Sequence, residues 1–195
     1  MIGTAFLTGA SAIAVPVQFG VDFTSVGGNY SSSVLDVGYE FQVTSTVTVV
    51  GLAAWDINTP NGLPYNVPVG LWTQSGTLLA SGIIASGTLP SDPNQQFAEV
   101  SITPIVLLPG FYDVAAVDAF AFAPNLPGFT TAPGISFIQT EYNSSSSLGF
   151  PGNTDSRYEG YFGGNIVLAT PDGASTLLLL SGACMSLGAL RRKLA

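Results

Sequence analysis

Residues 67–84 read VPVGLWTQSGTLLASGII, two short apolar runs on either side of Thr73-Gln74-Ser75-Gly76. The first run is rich in β-branched and aromatic residues, and a glycine in a polar tetrad lets the chain double back, so the stretch predicts a β-hairpin. The same pattern spreads outward. Upstream, VQFGVDF (17–23) puts Val17, Phe19, Val21 and Phe23 on one face, and LDVGYEFQV (35–43) does so for Leu35, Val37, Tyr39, Phe41 and Val43. Period-two alternation of this kind predicts two half-buried strands. TVTVVGLAAW (46–55) is more continuously apolar, as a central strand is. Downstream, FAEVSITPIVL (97–107), GFYDVAAVDAF (110–120) and GISFIQTEY (134–142) continue the series, punctuated by Pro104, Pro109-Gly110 and Pro133-Gly134. Roughly eight to ten strands are expected. With no long amphipathic helix among them, the fold class is all-β, an antiparallel jelly-roll-like β-sandwich, followed by a C-terminal transmembrane helix.

Composition agrees with short strands and many turns, since 47% of the 195 residues are hydrophobic, only 8% are charged, and Gly and Pro number 23 and 13. About 155 residues remain once the two ends are set aside, enough for one sizeable core. All twelve acidic residues lie between positions 15 and 172, against the single basic residue Arg157. A surface of that sign repels phosphate backbones, so nucleic acid is not an expected partner. The chain has no histidine and one cysteine, Cys184, which removes His-based catalysis, intramolecular disulfides and Cys-based metal cages.

The ends read differently from the middle. Residues 170–195, TPDGASTLLLLSGACMSLGALRRKLA, hold an uncharged run over 174–190 and then Arg191, Arg192 and Lys193. As a helix that run would span roughly 25 Å, a short but admissible crossing of a core about 30 Å thick. The basic cluster belongs on the cytoplasmic side, which places the bulk of the chain outside. At the other end, MIGTAFLTGASAIAVPVQ shows the small-residue pattern Ala12-Ile13-Ala14 of a signal-peptide cleavage site without a basic start. Residues 1–14 are therefore expected to be a truncated signal-peptide remnant, the true start lying upstream of Met1. The expected division is 1–14 signal remnant, 15–142 β-sandwich domain, 143–169 a last strand (165–169) and linker, and 170–195 sorting signal.

The tail resembles the PEP-CTERM sorting signals of Gram-negative bacteria, in the variant written V-P-D-S-G-S-T. Pro171, Asp172, Ser175 and Thr176 match that motif, and Thr170, Gly173 and Ala174 depart from it. The resemblance implies recognition by an exosortase, a membrane-embedded processing enzyme, and delivery to the cell envelope or extracellular space. Before processing the chain would be held in the inner membrane. The middle of the chain, roughly 35–120, is similar to a family of bacterial extracellular β-sandwich modules of unknown function. The resemblance rests on Gly38-Tyr39-Glu40-Phe41-Gln42-Val43, Val47-Thr48-Val49-Val50-Gly51-Leu52, Val69-Gly70-Leu71-Trp72, Gly76-Thr77-Leu78-Leu79-Ala80 and Leu108-Pro109-Gly110-Phe111-Tyr112. It implies a fold and an extracellular setting, and no activity.

Three classes of function are weighed. A matrix or adhesion module would bind exopolysaccharide by stacking sugar rings on aromatics, and Trp55 with Tyr65, flanked by Asp56, Asn58 and Asn61, offers such a platform, as do Tyr158, Tyr161 and Phe162. Trp72, which continues an alternating strand, reads as core, and Trp55 reads as either core or platform. A calcium-binding sandwich, or a plain anchored envelope module with a purely structural role, is the alternative. Asp56, Asp92 and Asp155 sit at loop-prone positions, without a D-x-D-x-D-G run. No other cofactor or metal is expected. A glycoside hydrolase needs only two carboxylates, and Glu99, Asp113, Asp118 and Glu141 are available, but nothing in their spacing marks a pair. The expectation is that the chain is not an enzyme.

Overall fold

In the hairpin of residues 67–84, the Gly76 N–H donates to Thr73 O at 2.8 Å and the Thr73 N–H to Thr77 O at 2.9 Å. Gly76 itself adopts φ of 85°, a left-handed conformation that a residue with a Cβ resists. The computed structural model describes residues 17–23, 35–56, 61–91, 97–117, 128–154 and 162–170. Among these the chain forms β1 (Val17–Phe19), β2 (Val21–Phe23), β3 (Asp36–Val43), β4 (Val47–Trp55), β5 (Val67–Thr73), β6 (Leu78–Ile84), β7 (Phe97–Leu107), β8 (Gly110–Val117), β9 (Phe129–Thr131), β10 (Ile135–Asn143), β11 (Asn153–Thr154) and β12 (Gly164–Ala169). All twelve belong to one compact unit, Val17–Ala169.

Two main sheets result, one ordered β1-β12-β4-β7 and the other β11-β10-β3-β8-β5-β6, with β2 and β9 as a separate pair. Every pairing is antiparallel. Alternate residues of the larger sheet, Tyr39, Phe41 and Val43 on β3, Val69 and Leu71 on β5, and Val114 and Ala116 on β8, join one buried cluster with Leu52, Phe97 and Ile166 of the smaller sheet. The described residues are thus all-β and sandwich-like, their core lying between two sheets whose apolar faces meet.

Four expectations are corrected in detail. VQFGVDF is not one strand, because it breaks at Gly20 into β1 and β2. Gly20 donates to Ile166 O at 2.8 Å and accepts from Ala132 N at 3.0 Å, so the chain changes partners from β12 to β9 at this residue. A Cβ on Gly20 would lie 2.4 Å from the Ile166 side chain, which is why the crossing point is a glycine. β3 is not half-buried, since Asp36, Gly38 and Glu40 on its polar face are as covered as Tyr39 and Phe41 on the other. Pro104 does not end a strand but sits inside β7, where the register with β4 shifts between Val49 and Gly51. β7 is an edge strand, and a bulge on an edge is where proline's missing N–H costs least. Finally, the boundary expected at 142/143 does not divide the fold, because β12 lies between β1 and β4 in the middle of its sheet.

The signal remnant, the predicted membrane helix over 174–190 and the basic cluster lie outside the described residues. Among the described residues no helix is long and apolar enough to cross a membrane.

Candidate functional site at the loop end

Strand direction sorts the connections into two ends. Val17 pairs with Ala169, and at the same end Val47 pairs with Leu107 and Val43 with both Gly110 and Ile135. The tight connections 44–46, 74–77, 108–109 and 132–134 belong to this end. At the opposite end β4 stops at Trp55, β6 at Ile84 and β8 at Val117, while β3, β5, β7 and β12 begin. The longer connections 24–34, 56–66, 85–96 and 118–128, and the approach to β12, therefore meet the sandwich there. This distal end is the loop end.

Trp55 and Phe162, one from each aromatic stretch singled out in the sequence, both lie at this end around Phe23. The Trp55 N–H donates to Gly163 O at 2.9 Å, and the Phe23 ring lies 5.6 Å from Trp55 and 5.1 Å from Phe162. Proximity does not make them a sugar platform. Trp55 is 1% exposed, with Phe23 and Phe97 edge-on at 5.6 and 5.3 Å, so neither ring face is open to a ligand. Its platform reading is corrected to core, and the same holds for Phe162, also 1% exposed. Asp56 is wholly buried. Asn61 is exposed and Tyr65 half-buried, whereas Asn58, Tyr158 and Tyr161 lie outside the described residues.

What remains accessible is a polar shelf that sequence reading missed. Residues 61–66 are stitched to the β6–β7 connection by Ser86 N donating to Asn66 Oδ1 at 2.9 Å and by Gly87 N donating to Leu63 O at 2.8 Å. The Ser86 hydroxyl adds donations to Leu63 O and Pro64 O at 3.3 and 3.2 Å. Gly62 at φ 79° packs against Gly87, whose carbonyl oxygen is 2.8 Å from where a Cβ would be. Exposed Asn61, Pro64, Asn66 and Ser86 are thereby held on a fixed backbone beside the half-buried Tyr65 ring. Amide and hydroxyl groups around one aromatic edge suit hydrogen bonding to a neutral polyol.

The acidic candidates fall elsewhere. Asp113 on β8 pairs in register with Glu40 on β3, and Gln139 of β10 lies opposite Glu40 on its other side. Glu40, Asp113 and Glu141 are 5%, 1% and 7% exposed on the outer face of the larger sheet, under the segment 144–154. Phe150 of that segment packs on Trp72 at 6.4 Å, and the Gly149 N–H donates to Asp36 Oδ2 at 2.7 Å. Trp72 is therefore buried, as expected, but against this covering segment and outside the central cluster.

Gln74 donates to Glu40 at 2.7 Å and Gln139 to Glu141 at 3.0 Å, while Asp113 and Glu141 hydrogen-bond to each other. Burial, then the charges of Glu141 and Glu40, push the Asp113 carboxyl up to about 8, so it holds the proton of that bond. Burial also raises Glu141 and, on β7 in the other sheet, Glu99. Two carboxyls in direct contact, sharing a proton beneath a cover, are closer than the ~5–9 Å separations of glycoside hydrolysis. Asp92, Asp118 and Asp155 lie outside the described residues, among which no group of three or more metal-ligating side chains assembles.

Compared with known protein families, characterised proteins and solved structures, the chain matches none.

Proposed function

We propose that this chain is an exported, non-enzymatic jelly-roll module. An exosortase-type enzyme sorts it to the cell surface or extracellular matrix through residues 170–195, and its loop end meets exopolysaccharide. The observation that carries the reading is the tail, in which a Pro-Asp motif at 171–172, an uncharged run over 174–190 and Arg191-Arg192-Lys193 follow in that order. The fold supports it in two ways. With β2 and β9 to β11 set aside, the strand orders β1-β12-β4-β7 and β3-β8-β5-β6 are those of a jelly roll. The pairing of Val17 with Ala169 also brings those two residues together at the end of the sandwich opposite the polar shelf. The want of histidine and the occluded carboxyl pair favour binding over catalysis.

The test is mass spectrometry of the termini of the native protein from membrane and matrix fractions, followed by binding of the mature protein to the cell's own polysaccharide. A mature C-terminus near Pro171 and polysaccharide binding weakened by Tyr65→Ala support the reading. Retention of Arg191, Arg192 and Lys193 in every fraction makes the tail a plain anchor and removes the exosortase. Absence of polysaccharide binding leaves a structural module.

A further inference from the structure

Around the Val17/Ala169 end, residues 43–48, 73–78, 100–112, 132–138 and 167–170 contain no Asp, Glu, Lys or Arg. The uncharged end also shows apolar side chains to solvent, with Leu78 50%, Val106 60%, Leu108 62% and Phe111 40% exposed. Three of these lie on the crossing from β7 in one sheet to β8 in the other, whose turn is Leu108-Pro109, and Leu78 begins β6 just after the neighbouring turn. That turn is tied to β8 by the Gln74 N–H donating to Phe111 O at 3.3 Å. Exposed leucine, valine and phenylalanine gathered at one uncharged end mark an interaction site rather than ordinary surface.

The chain itself points to what covers them. Five residues after Ala169, the last residue of β12, the uncharged run 174–190 begins. Were that run held in a bilayer, the few residues between would keep the Ala169 end of the sandwich within reach of the lipid.

We infer that the connection from β7 to β8, carrying Leu108, with Val106, Phe111 and Leu78 around it, rests in the interfacial layer of a phospholipid bilayer. This inference rests on the reading of 174–190 as a membrane segment. Tyr112, whose hydroxyl donates to Leu108 O at 3.0 Å, ties the turn back on itself.

The test uses the full chain in vesicles of phosphatidylethanolamine and phosphatidylglycerol carrying brominated acyl chains, which quench tryptophan on contact. Leu108→Trp is compared with Ile83→Trp, an equally exposed position toward the loop end, each against the parent. The expected result is several-fold stronger quenching of the tryptophan at 108 than of that at 83. Hydrogen exchange over 105–112 in the unsubstituted chain, slowed at least tenfold by vesicles, gives the same answer without a variant. Equal quenching of the two variants and unchanged exchange, in a chain that floats with the vesicles, overturn the bilayer contact of the β7–β8 connection while leaving the membrane segment standing. A chain that does not float overturns the membrane reading of 174–190 and that contact with it.

Discussion

Replacing Asn165 with alanine removes a buried side chain that bridges β2, β3 and β12. In the parent, Asn165 Oδ1 accepts from Val21 N at 3.2 Å, Ile166 N at 2.9 Å and the Tyr39 hydroxyl at 2.7 Å, while Nδ2 donates to Val21 O at 2.8 Å. The amide thus does for Val21 what a neighbouring strand would, taking its N–H and giving to its C=O. Val21, Tyr39 and Asn165 are all 0% exposed. Burial holds the Tyr39 hydroxyl well above the ordinary phenol range, so it stays a donor. Asn165→Ala strands at least the Val21 N–H, the Val21 C=O and the Tyr39 hydroxyl, each costing about 1–3 kcal/mol when left unmade. Allowing for water entering the vacated space, the loss is about 3–5 kcal/mol, a large part of the ~5–15 kcal/mol total of a typical domain. At about 2–4 °C per kcal/mol for a domain of this size, the melting temperature should drop by about 6–20 °C. Thermal unfolding followed by circular dichroism and calorimetry measures it. Tyr39→Phe provides the second side of a double-mutant cycle, with a coupling of about 1 kcal/mol or more expected. A melting temperature within about 3 °C of the parent, or additive losses, would show that the amide does not hold the seam.

Other expectations follow from the same packing. Asp113 holds its proton up to about 8 in the folded protein, whereas an unfolded aspartate loses it near 4. Its contribution is therefore fully present below about pH 4 and is lost as pH rises toward 8. The melting temperature should fall as pH rises across that window, and Asp113→Asn should flatten the slope; an unchanged slope in the variant assigns it to other groups. Gly70→Ala would place a Cβ 2.4 Å from the Trp72 ring, so the ring must leave its seat under Phe150. Red-shifted tryptophan emission and faster proteolysis within 144–154 are expected, and a parent-like spectrum would count against the seat. Trp55→Ala should cost about 3–5 kcal/mol, as aromatic core truncations do, and should impair ligand binding only in step with unfolding. Calcium and chelator should leave the melting temperature unchanged; a rise with calcium would reveal ligands among the loop-end aspartates.

Much of the fold was legible because alternation along a strand and punctuation between strands are local signals. The hairpin at 67–84 and the central strand β4 could be read from a dozen or so residues at a time. What escaped depends on partners far away in sequence. The split of VQFGVDF at Gly20 is dictated by Ile166 and Ala132, and nothing in the heptapeptide announces either. The burial of Glu40 and Asp113 comes from the covering segment 144–154, whose run of serines and turn formers reads as a loose loop. Alternation by itself predicts such carboxylates to be solvated, and so gave no hint of a proton-sharing pair. The candidate site was half legible. Trp55 read equally as core or platform, because a tryptophan at a strand terminus can turn inward or outward, and only the positions of Phe23 and Phe97 decide which. The shelf of Asn66 and Ser86 joins residues 20 apart through backbone bonds, and composition carries no trace of that.

The place of β12 between β1 and β4 has a mechanical consequence. A load applied after Ala169 and resisted at the loop end pulls along the axis of β12, toward its own C-terminus. Its ladders to both neighbours lie across that direction and are strained together, in shear, rather than opened one rung at a time. The strand through which the domain would be tugged is thus gripped on both sides, and its bulge opposite β4, between Val167 and Leu168, is the first place where that grip would slip.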